Sequence, residues 1–143
     1  MPPLHNQFNP AYPDNVPDGY TPIESSNTFG AINGPIFEKK ESDGWVRGFM
    51  PEERHSNMAG IVHGGMLMTF ADILLARAVL ELAKPPFVTL RLVGDFVSPA
   101  LKHNWVEGRA RILSNDGGLY MVAGEVKSRS KLVLQVTGSF KQL

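Results

Sequence analysis

The feature that most constrains this chain is a long apolar run, Met66–Leu82, that ends just before a double proline. Its apolar side chains fall on nearly every side of a helix: Met66, Leu67, Phe70, Ile73, Leu74, Leu75, Ala78, Val79 and Leu82. A helix that is apolar all round is buried all round. We therefore expect a central helix over about Gly64–Lys84, which Pro85 and Pro86 stop because proline cannot continue the helical hydrogen-bond ladder.

Six strand-like runs flank this helix, two before it and four after it. They are Ile36–Glu41, Trp45–Met50, Phe87–Val97, His103–Leu113, Tyr120–Ser128 and Lys131–Lys141. Short polar and glycine-rich turns separate most neighbouring runs, which favours antiparallel pairing. A curved antiparallel sheet that wraps the helix is the simplest way to bury both apolar surfaces. The pattern predicts one α+β domain over residues 35–143.

The first 34 residues have a different composition. Residues 1–20 hold five of the eleven prolines, with Asn and Asp between them. Such a composition is typical of extended, poorly packed chain. Residues 21–35 could hold a short helix or a turn around Phe29. We expect residues 1–34 to be a partly ordered, proline-rich extension.

Composition excludes several classes of function. The chain has no cysteine, so a disulfide scaffold, a cysteine metal site and a cysteine nucleophile are all excluded. The first residues lack a basic start and an apolar core, so we expect no signal peptide. Asp72, Arg77 and Glu81 interrupt the apolar helix, which is too short and too charged to span a membrane. We expect a cytoplasmic protein.

Charge is balanced overall but unevenly spread. Residues 1–83 hold five Lys/Arg and ten Asp/Glu, whereas residues 84–143 hold nine and four. We favour an ordinary solvated surface, and the alternative is a basic edge that meets a phosphorylated ligand. No stripe of basic residues alternates with aromatics on one face, so we expect no nucleic-acid partner.

Asp72 is the main candidate for chemistry. It is the only ionisable residue between His63 and Arg77, and it lies inside an apolar helix. A charge in such a place must be paired, neutralised or used. Thr69 or Arg77 could satisfy it in a purely structural role. Alternatively, the carboxylate could act as a general base for water or as a direct nucleophile.

The residues at the helix start form a second candidate group. The Gly64 and Gly65 amides are orphan donors where the helix dipole is positive, which suits a developing negative oxygen, although the glycines could serve tight packing alone. The Asn57 amide could donate to a carbonyl or position a water, or it could make only turn hydrogen bonds. His63 could order its loop or contact a ligand, and we interpret His55 as structural.

The spacing between Gly64 and Asp72 limits how the two residues could act together. Eight helical residues span about 12 Å, so Gly64 and Asp72 of one chain cannot both contact one carbonyl. If they act together, they come from two subunits whose helices run antiparallel across a two-fold axis.

Arg129 lies between Lys127 and Lys131 at a tight turn, which we interpret as a solvated hairpin tip, with a contact to ligand phosphates as the alternative.

The motif Asn57, Gly60, His63-Gly64-Gly65 and Asp72 resembles that of the hot-dog-fold acyl-CoA thioesterases, in particular the PaaI type. The resemblance runs from about Pro35 to the C-terminus and implies the hot-dog fold. It implies that Asp72 is the catalytic carboxylate and that the partner's Gly64 amide polarises the thioester carbonyl. It also implies that Asn57 orients the water or the carbonyl.

The resemblance has further implications for ligands and assembly. Thr89 matches a hydroxyl residue that some relatives place near the carboxylate, and basic side chains such as Arg129 would meet CoA phosphates. We include His63 as catalytic and Gly65 as substrate-binding. The implied partners are an acyl-CoA substrate and a second copy, as a homodimer or homotetramer, with no cofactor or metal. The acyl group stays open. A non-catalytic acyl-CoA-binding or regulatory protein and a hydratase are the alternatives.

Overall fold

The predicted combination of one central helix and one antiparallel sheet is confirmed in the computed structural model, which describes residues 12–24 and 28–143. The strands are β1 (Thr21–Pro22), β2 (Phe37–Glu41), β3 (Gly44–Phe49), β4 (Phe87–Phe96), β5 (Val106–Asp116), β6 (Leu119–Ser128) and β7 (Lys131–Gln142). The helices are α1 (Phe29–Asn33) and α2 (Gly64–Leu80), with a 3-10 turn at Glu53–His55. The two-residue strand β1 is an addition to the six strands expected.

The sheet is open, and its two edges are formed by distant parts of the chain. The strand order is β1-β2-β3-β5-β6-β7-β4, so β1 forms one edge and β4 the other. β4 pairs antiparallel with β7 from Phe87↔Gln142 to Phe96↔Leu134, with a register shift around Leu90. This ten-residue strand has no neighbour on its outer side within the described chain.

Helix α2 packs closely against the inner face of the sheet. Phe70, Leu74 and Leu75 are fully buried in the core between helix and sheet. The strand glycines Gly124 and Gly138 lie beneath the helix, and a Cβ on either would approach Leu75 to 2.9 Å. Glycine at these positions therefore lets the helix approach the sheet more closely than any other residue would.

The ends of two elements differ from the prediction. Helix α2 ends at Leu80 rather than Lys84, because the Leu82 amide donates to Val79 O at 3.0 Å and tightens the chain into a turn. β5 begins at Val106 rather than His103, because His103 adopts a positive φ of 69° and donates its amide to Pro51 O. The double proline limits the helix but does not mark its last residue.

Within the single chain, α2 is not buried all round, which corrects our expectation. One side is buried in the core, whereas Thr69, Asp72 and Ile73 are only partly buried and Leu80 is exposed. One open sheet covers only one side of a helix. The uncovered side lies toward β4, where Asp72 contacts Thr89.

Part of the proline-rich extension is packed rather than loosely extended. Residues 1–11 and 25–27 lie outside the described residues, so the expectation for them is not tested. The Tyr12 ring packs against Phe37, the Tyr20 ring packs against Trp105, and β1 pairs with β2. Of the two alternatives considered around Phe29, a short helix or a turn, helix α1 is the one present. In the described ranges, no helix has the length and hydropathy needed to cross a membrane.

Candidate active site

A carboxylate and a hydroxyl form the polar centre on the uncovered side of α2. Thr89 Oγ1 donates to Asp72 Oδ1 at 2.6 Å, and Thr89 itself is exposed on β4. The resemblance placed Thr89 near this carboxylate, and the contact is present. Both structural partners considered for Asp72 are wrong: Thr69 donates to Gly65 O, and Arg77 pairs with Glu81 at 2.7 Å. The carboxylate is held by one hydroxyl and still reaches solvent.

The start of α2 leaves one amide free. His63 caps the helix: its Nδ1 accepts the Gly65 amide at 2.8 Å, and its carbonyl accepts the amides of Met66 and Leu67 at 2.9 and 3.1 Å. Among the first four helical amides, only that of Gly64 has no acceptor within residues 12–24 and 28–143. The Gly65 amide, which we expected to face a ligand, is therefore occupied, and Gly64 carries the available donor.

The Asn57 side chain is both a turn former and a possible donor. Its Oδ1 accepts the amides of Ala59 at 2.9 Å and Ile61 at 3.3 Å, as the turn interpretation expected. These bonds use the side-chain oxygen, and the NH₂ group has no acceptor within residues 12–24 and 28–143. Asn57 can therefore form the loop and still donate to a ligand.

Buried His55 fixes the loop that leads to the helix. Its Nδ1 accepts the Glu52 amide at 3.0 Å, and its Nε2 lies 2.7 Å from Asn33 O at the end of α1. The His55 carbonyl in turn accepts the His63 amide at 2.9 Å. Burial, with a smaller effect of the Arg54 charge, lowers the pKa of His55, which favours the neutral ring that these contacts require. This arrangement agrees with the structural role expected for His55.

The two halves of the candidate site lie at opposite ends of β4. Asp72 contacts Thr89 near the start of the strand, whereas a Cβ on Gly64 would lie 3.5 Å from Phe96 at its end. Gly64 and Asp72 are eight residues apart on one helix, which is about 12 Å. The structure does not bring them together within one chain.

Arg129 lies at the Gly64 end of the molecule. Arg129 and Ser130 form the tight turn between β6 and β7 with φ values of 52° and 66°. This turn is adjacent to the end of β4, where Phe96 pairs with Leu134. The predicted hairpin tip is present, on the same side of the fold as the free helix amide.

No group of three or more His, Cys, Asp or Glu in the described residues could hold a metal ion.

The exposed outer edge of β4 was not predicted from the sequence. Exposed apolar side chains line this strand: Val88, Leu90, Val93 and Phe96, with Val97 just beyond it. The signal was present, because apolar residues occur at both alternating sets of positions in Phe87–Val97. A strand that is apolar on both sides is normally covered on both sides.

Comparisons with known proteins add an independent observation. Residues 59–133 match the family model described as the thioesterase superfamily. The candidate esterase PA0474 of Pseudomonas aeruginosa is 30% identical in an alignment of 129 positions that covers 88% of this chain and 96% of that protein.

Solved structures share the fold over most of the chain. A mutant of the phenylacetic acid degradation protein PaaI from Thermus thermophilus has a TM-score of 0.70 and 27% identity, covering 80% of this chain and 98% of its own. The BH2602 protein of Bacillus halodurans, solved with CoA, has a TM-score of 0.69 and 24% identity, covering 74% and 72%.

Proposed function

Since this chain belongs to the thioesterase superfamily and is a thioester hydrolase, we propose that it cleaves an acyl-CoA with water to a free carboxylic acid and CoA. The observation that supports this most directly is the Asp72–Thr89 pair, accessible on the uncovered side of α2. The CoA bound to the Bacillus halodurans neighbour supports CoA as the thiol part of the substrate. The acyl group is not specified by these observations.

Asp72 is the proposed general base. Its carboxylate takes a proton from water, and the resulting hydroxide adds to the thioester carbon. The carbonyl oxygen becomes an oxyanion that accepts a hydrogen bond from the partner's Gly64 amide. Collapse of this intermediate breaks the carbon–sulfur bond and releases the carboxylic acid. The CoA thiolate then takes up the proton that Asp72 removed from water. Direct attack by Asp72 on the carbonyl, followed by hydrolysis of the anhydride, is the alternative route.

The reaction requires two copies of the chain. Gly64 and Asp72 are too far apart in one copy to contact the same carbonyl, which needs contacts of roughly 3 Å. If two β4 strands pair antiparallel about their middle, Thr89 of one copy approaches the partner's Phe96. Because Phe96 lies beside Gly64, the pairing moves Asp72 toward the partner's Gly64 and makes two equivalent sites.

The outer edge of β4 supports this assembly. Leu90 and Phe96 are 55% and 56% exposed, and the outer side of this ten-residue strand has no pairing partner within the described chain. A long, apolar, exposed edge strand is a template for pairing with another chain. Pairing of two β4 strands would cover these side chains and continue one sheet across the dimer. The tetramer implied by the resemblance stays a prediction.

The remaining site residues have supporting roles in the proposal. Thr89 holds the Asp72 carboxylate, and the Asn57 NH₂ donates to the carbonyl or to the attacking water. His63 shapes the helix start through Gly65, so that only the Gly64 amide faces the ligand. Arg129, at the same end of the fold as Gly64, meets the CoA phosphates.

The decisive experiment separates the two halves of the site onto different chains. Asp72→Asn removes the base, and Gly64→Val places a branched side chain where the carbonyl oxygen would bind. Each homodimer should lose more than about 100-fold in kcat/KM across a panel of short-chain, aryl and long-chain acyl-CoAs. Co-expression of the two variants should restore about a quarter of wild-type activity, because half of the dimers then contain one intact site.

A matched control and three contradicting outcomes test the proposed mechanism. Asp116→Asn changes an exposed acid at the end of the inner strand β5 and should leave hydrolysis unchanged. Full activity of Asp72→Asn would remove the carboxylate mechanism. Absence of recovery in the mixed dimers would place both groups in one chain and remove the shared site. Tight acyl-CoA binding without thiol release in the wild type would favour the non-catalytic alternative.

A further inference from the structure

A cavity lies beside the C-terminal half of α2. It has a volume of about 520 Å³, which is within the range of small-molecule sites. Its walls come from the β2–β3 hairpin, from α2 and from β5. Leu74, Ala78 and Ile112 form part of its apolar surface, and Trp45 forms part of its wall.

This cavity is separate from the candidate active site. Its helical lining residues Leu74, Arg77 and Ala78 follow Asp72 by two, five and six positions. At about 100° per residue, they lie roughly 120–160° around the helix from Asp72. Neither Asp72 nor Thr89 lines the cavity. A ligand in it would therefore contact the far side of the helix from the carboxylate.

Two residues of the cavity lining carry buried donors that lack acceptors. Trp45 Nε1 and Arg77 Nε are buried and have no hydrogen-bond partner in the described chain. Arg77 Nε lies 3.8 Å from Glu38 Oε1, which is beyond hydrogen-bond distance. The Arg77 guanidinium lies over the Trp45 ring at 4.2 Å from its centroid. Buried unsatisfied donors are costly, so native proteins usually supply an acceptor from a water, an ion or a ligand.

The charges around the cavity favour an anion. Lys40 and Arg111 line it, and neither forms an ion pair within residues 12–24 and 28–143. Glu41 pairs with Arg109 at 2.8 Å, and Glu81 pairs with Arg77 at 2.7 Å, so both acids of the lining are already compensated. Two uncompensated cations therefore remain beside the apolar wall.

We propose that this cavity binds an amphiphilic monocarboxylate, with its tail against Leu74 and Ala78. Its carboxylate accepts from the unpartnered donors of Trp45 and Arg77 and is compensated by Lys40 and Arg111. The binding does not depend on the catalytic mechanism. The hydrolysis proposed above releases compounds of this class, so a product could occupy the cavity, and only this link depends on the proposed function.

The test follows the indole N–H of Trp45 by ¹⁵N-resolved NMR while octanoate is added to the full-length protein. The chain has two tryptophans, and Trp105→Phe assigns the remaining signal to Trp45. Octanoate should shift this signal downfield in a saturable manner, because the N–H gains a charged acceptor. Acetate, which lacks the tail, and 1-octanol, which lacks the charge, should produce no comparable shift.

Variants distinguish the cavity from other binding sites. Arg111→Gln and Lys40→Gln should each weaken octanoate binding about five- to tenfold, and Ala78→Leu should abolish it by filling the cavity. Lys141→Gln, an exposed charge elsewhere on the sheet, and Asp72→Asn should leave it unchanged. The proposal is overturned if the Trp45 signal does not move, if 1-octanol moves it equally, or if Arg111→Gln and Ala78→Leu bind octanoate as the wild type does.

Discussion

The two edges of the sheet differ in what covers them. At the covered edge, β1 pairs with β2, and the Tyr12 and Tyr20 rings pack on Phe37 and Trp105. At the open edge, β4 has ten residues, several exposed apolar side chains and no neighbouring strand in the described chain. Within the described residues, the preceding segment pairs with one edge of the sheet, whereas the longer, more apolar edge has no neighbouring strand.

The difference indicates which edge serves function. Exposed strand edges invite pairing, and proteins cover them or blunt them with charge. At the covered edge, β2 already pairs with β1 of the same chain. The open edge carries Thr89, which holds Asp72, and ends at Phe96 beside Gly64. Assembly through this edge would therefore complete the candidate site, whereas changes at the covered edge should affect stability without affecting hydrolysis.

The largest expected effect comes from a charge on the open edge. Leu90→Asp places two like charges close to the proposed two-fold axis and removes two apolar side chains from the interface. We expect dissociation to monomers, measured by light scattering after gel filtration. We also expect a loss of more than about 100-fold in kcat/KM, since monomers lack the partner's amide.

Leu113→Asp is the matched control for this change. Leu113 is also 55% exposed, but it lies on the inner strand β5, away from both edges. This variant should keep the dimer and its hydrolysis. A Leu90→Asp protein that remains dimeric, or a monomer with full activity, would show that the open edge is not the functional interface.

Periodicity predicted the helix and six of the strands because long runs carry a strong signal. It could not predict β1, since Thr21 and Pro22 are too few for a pattern and join the sheet through their backbone. The pattern also could not show that one side of α2 is left uncovered within a single chain. Apolar residues there are typical of burial, but the sequence does not say whether the same chain or another copy covers them.

Some features of the candidate site could be predicted from the sequence, and others could not. The motif identified Asp72 and Gly64, and the resemblance placed Thr89 beside the carboxylate. The hydrogen bond from the Gly65 amide to His63 Nδ1 makes that amide unavailable to a ligand. It depends on one rotamer of His63, which cannot be predicted from residue spacing. The cavity beside Trp45 was missed for a similar reason, because empty volume depends on how distant elements pack.

An intermediate effect is expected at the covered edge. The Tyr20 hydroxyl donates to Glu107 Oε2, and Tyr20→Phe removes this bond. The free energy of unfolding should fall by about 1–2 kcal/mol, with the oligomeric state and hydrolysis unchanged. Tyr12→Phe is the control, since the Tyr12 hydroxyl makes no hydrogen bond in the described ranges, and should change stability by less than about 0.5 kcal/mol.

The pH dependence of the Tyr20 contact sharpens this test. Burial, and then the hydrogen bond and charge of Glu107, raise the pKa of Tyr20 in the folded protein. The protonated form is therefore favoured by folding, and its contribution is fully present below the unfolded pKa of about 10. The stability difference between wild type and Tyr20→Phe should hold up to about pH 10 and shrink above it. Loss of hydrolysis in Tyr20→Phe at neutral pH would contradict the separation of the two edges.

The smallest effect concerns His55, which ties α1, on the covered side, to the loop that starts α2. Since burial lowers its pKa in the folded protein, neutral His55 contributes stability above the unfolded pKa of about 6.5. That contribution should be lost as pH falls, with a slope of at most about 1.4 kcal/mol per pH unit. Urea unfolding between pH 8 and pH 5 should show this slope in the wild type and in His103→Asn, whose histidine is exposed.

His55→Gln should be less stable at pH 8, but its free energy of unfolding should fall less steeply toward acid, because no buried imidazole remains to take up a proton. Parallel curves for His55→Gln and the wild type would show that the acid sensitivity of the loop arises from another group.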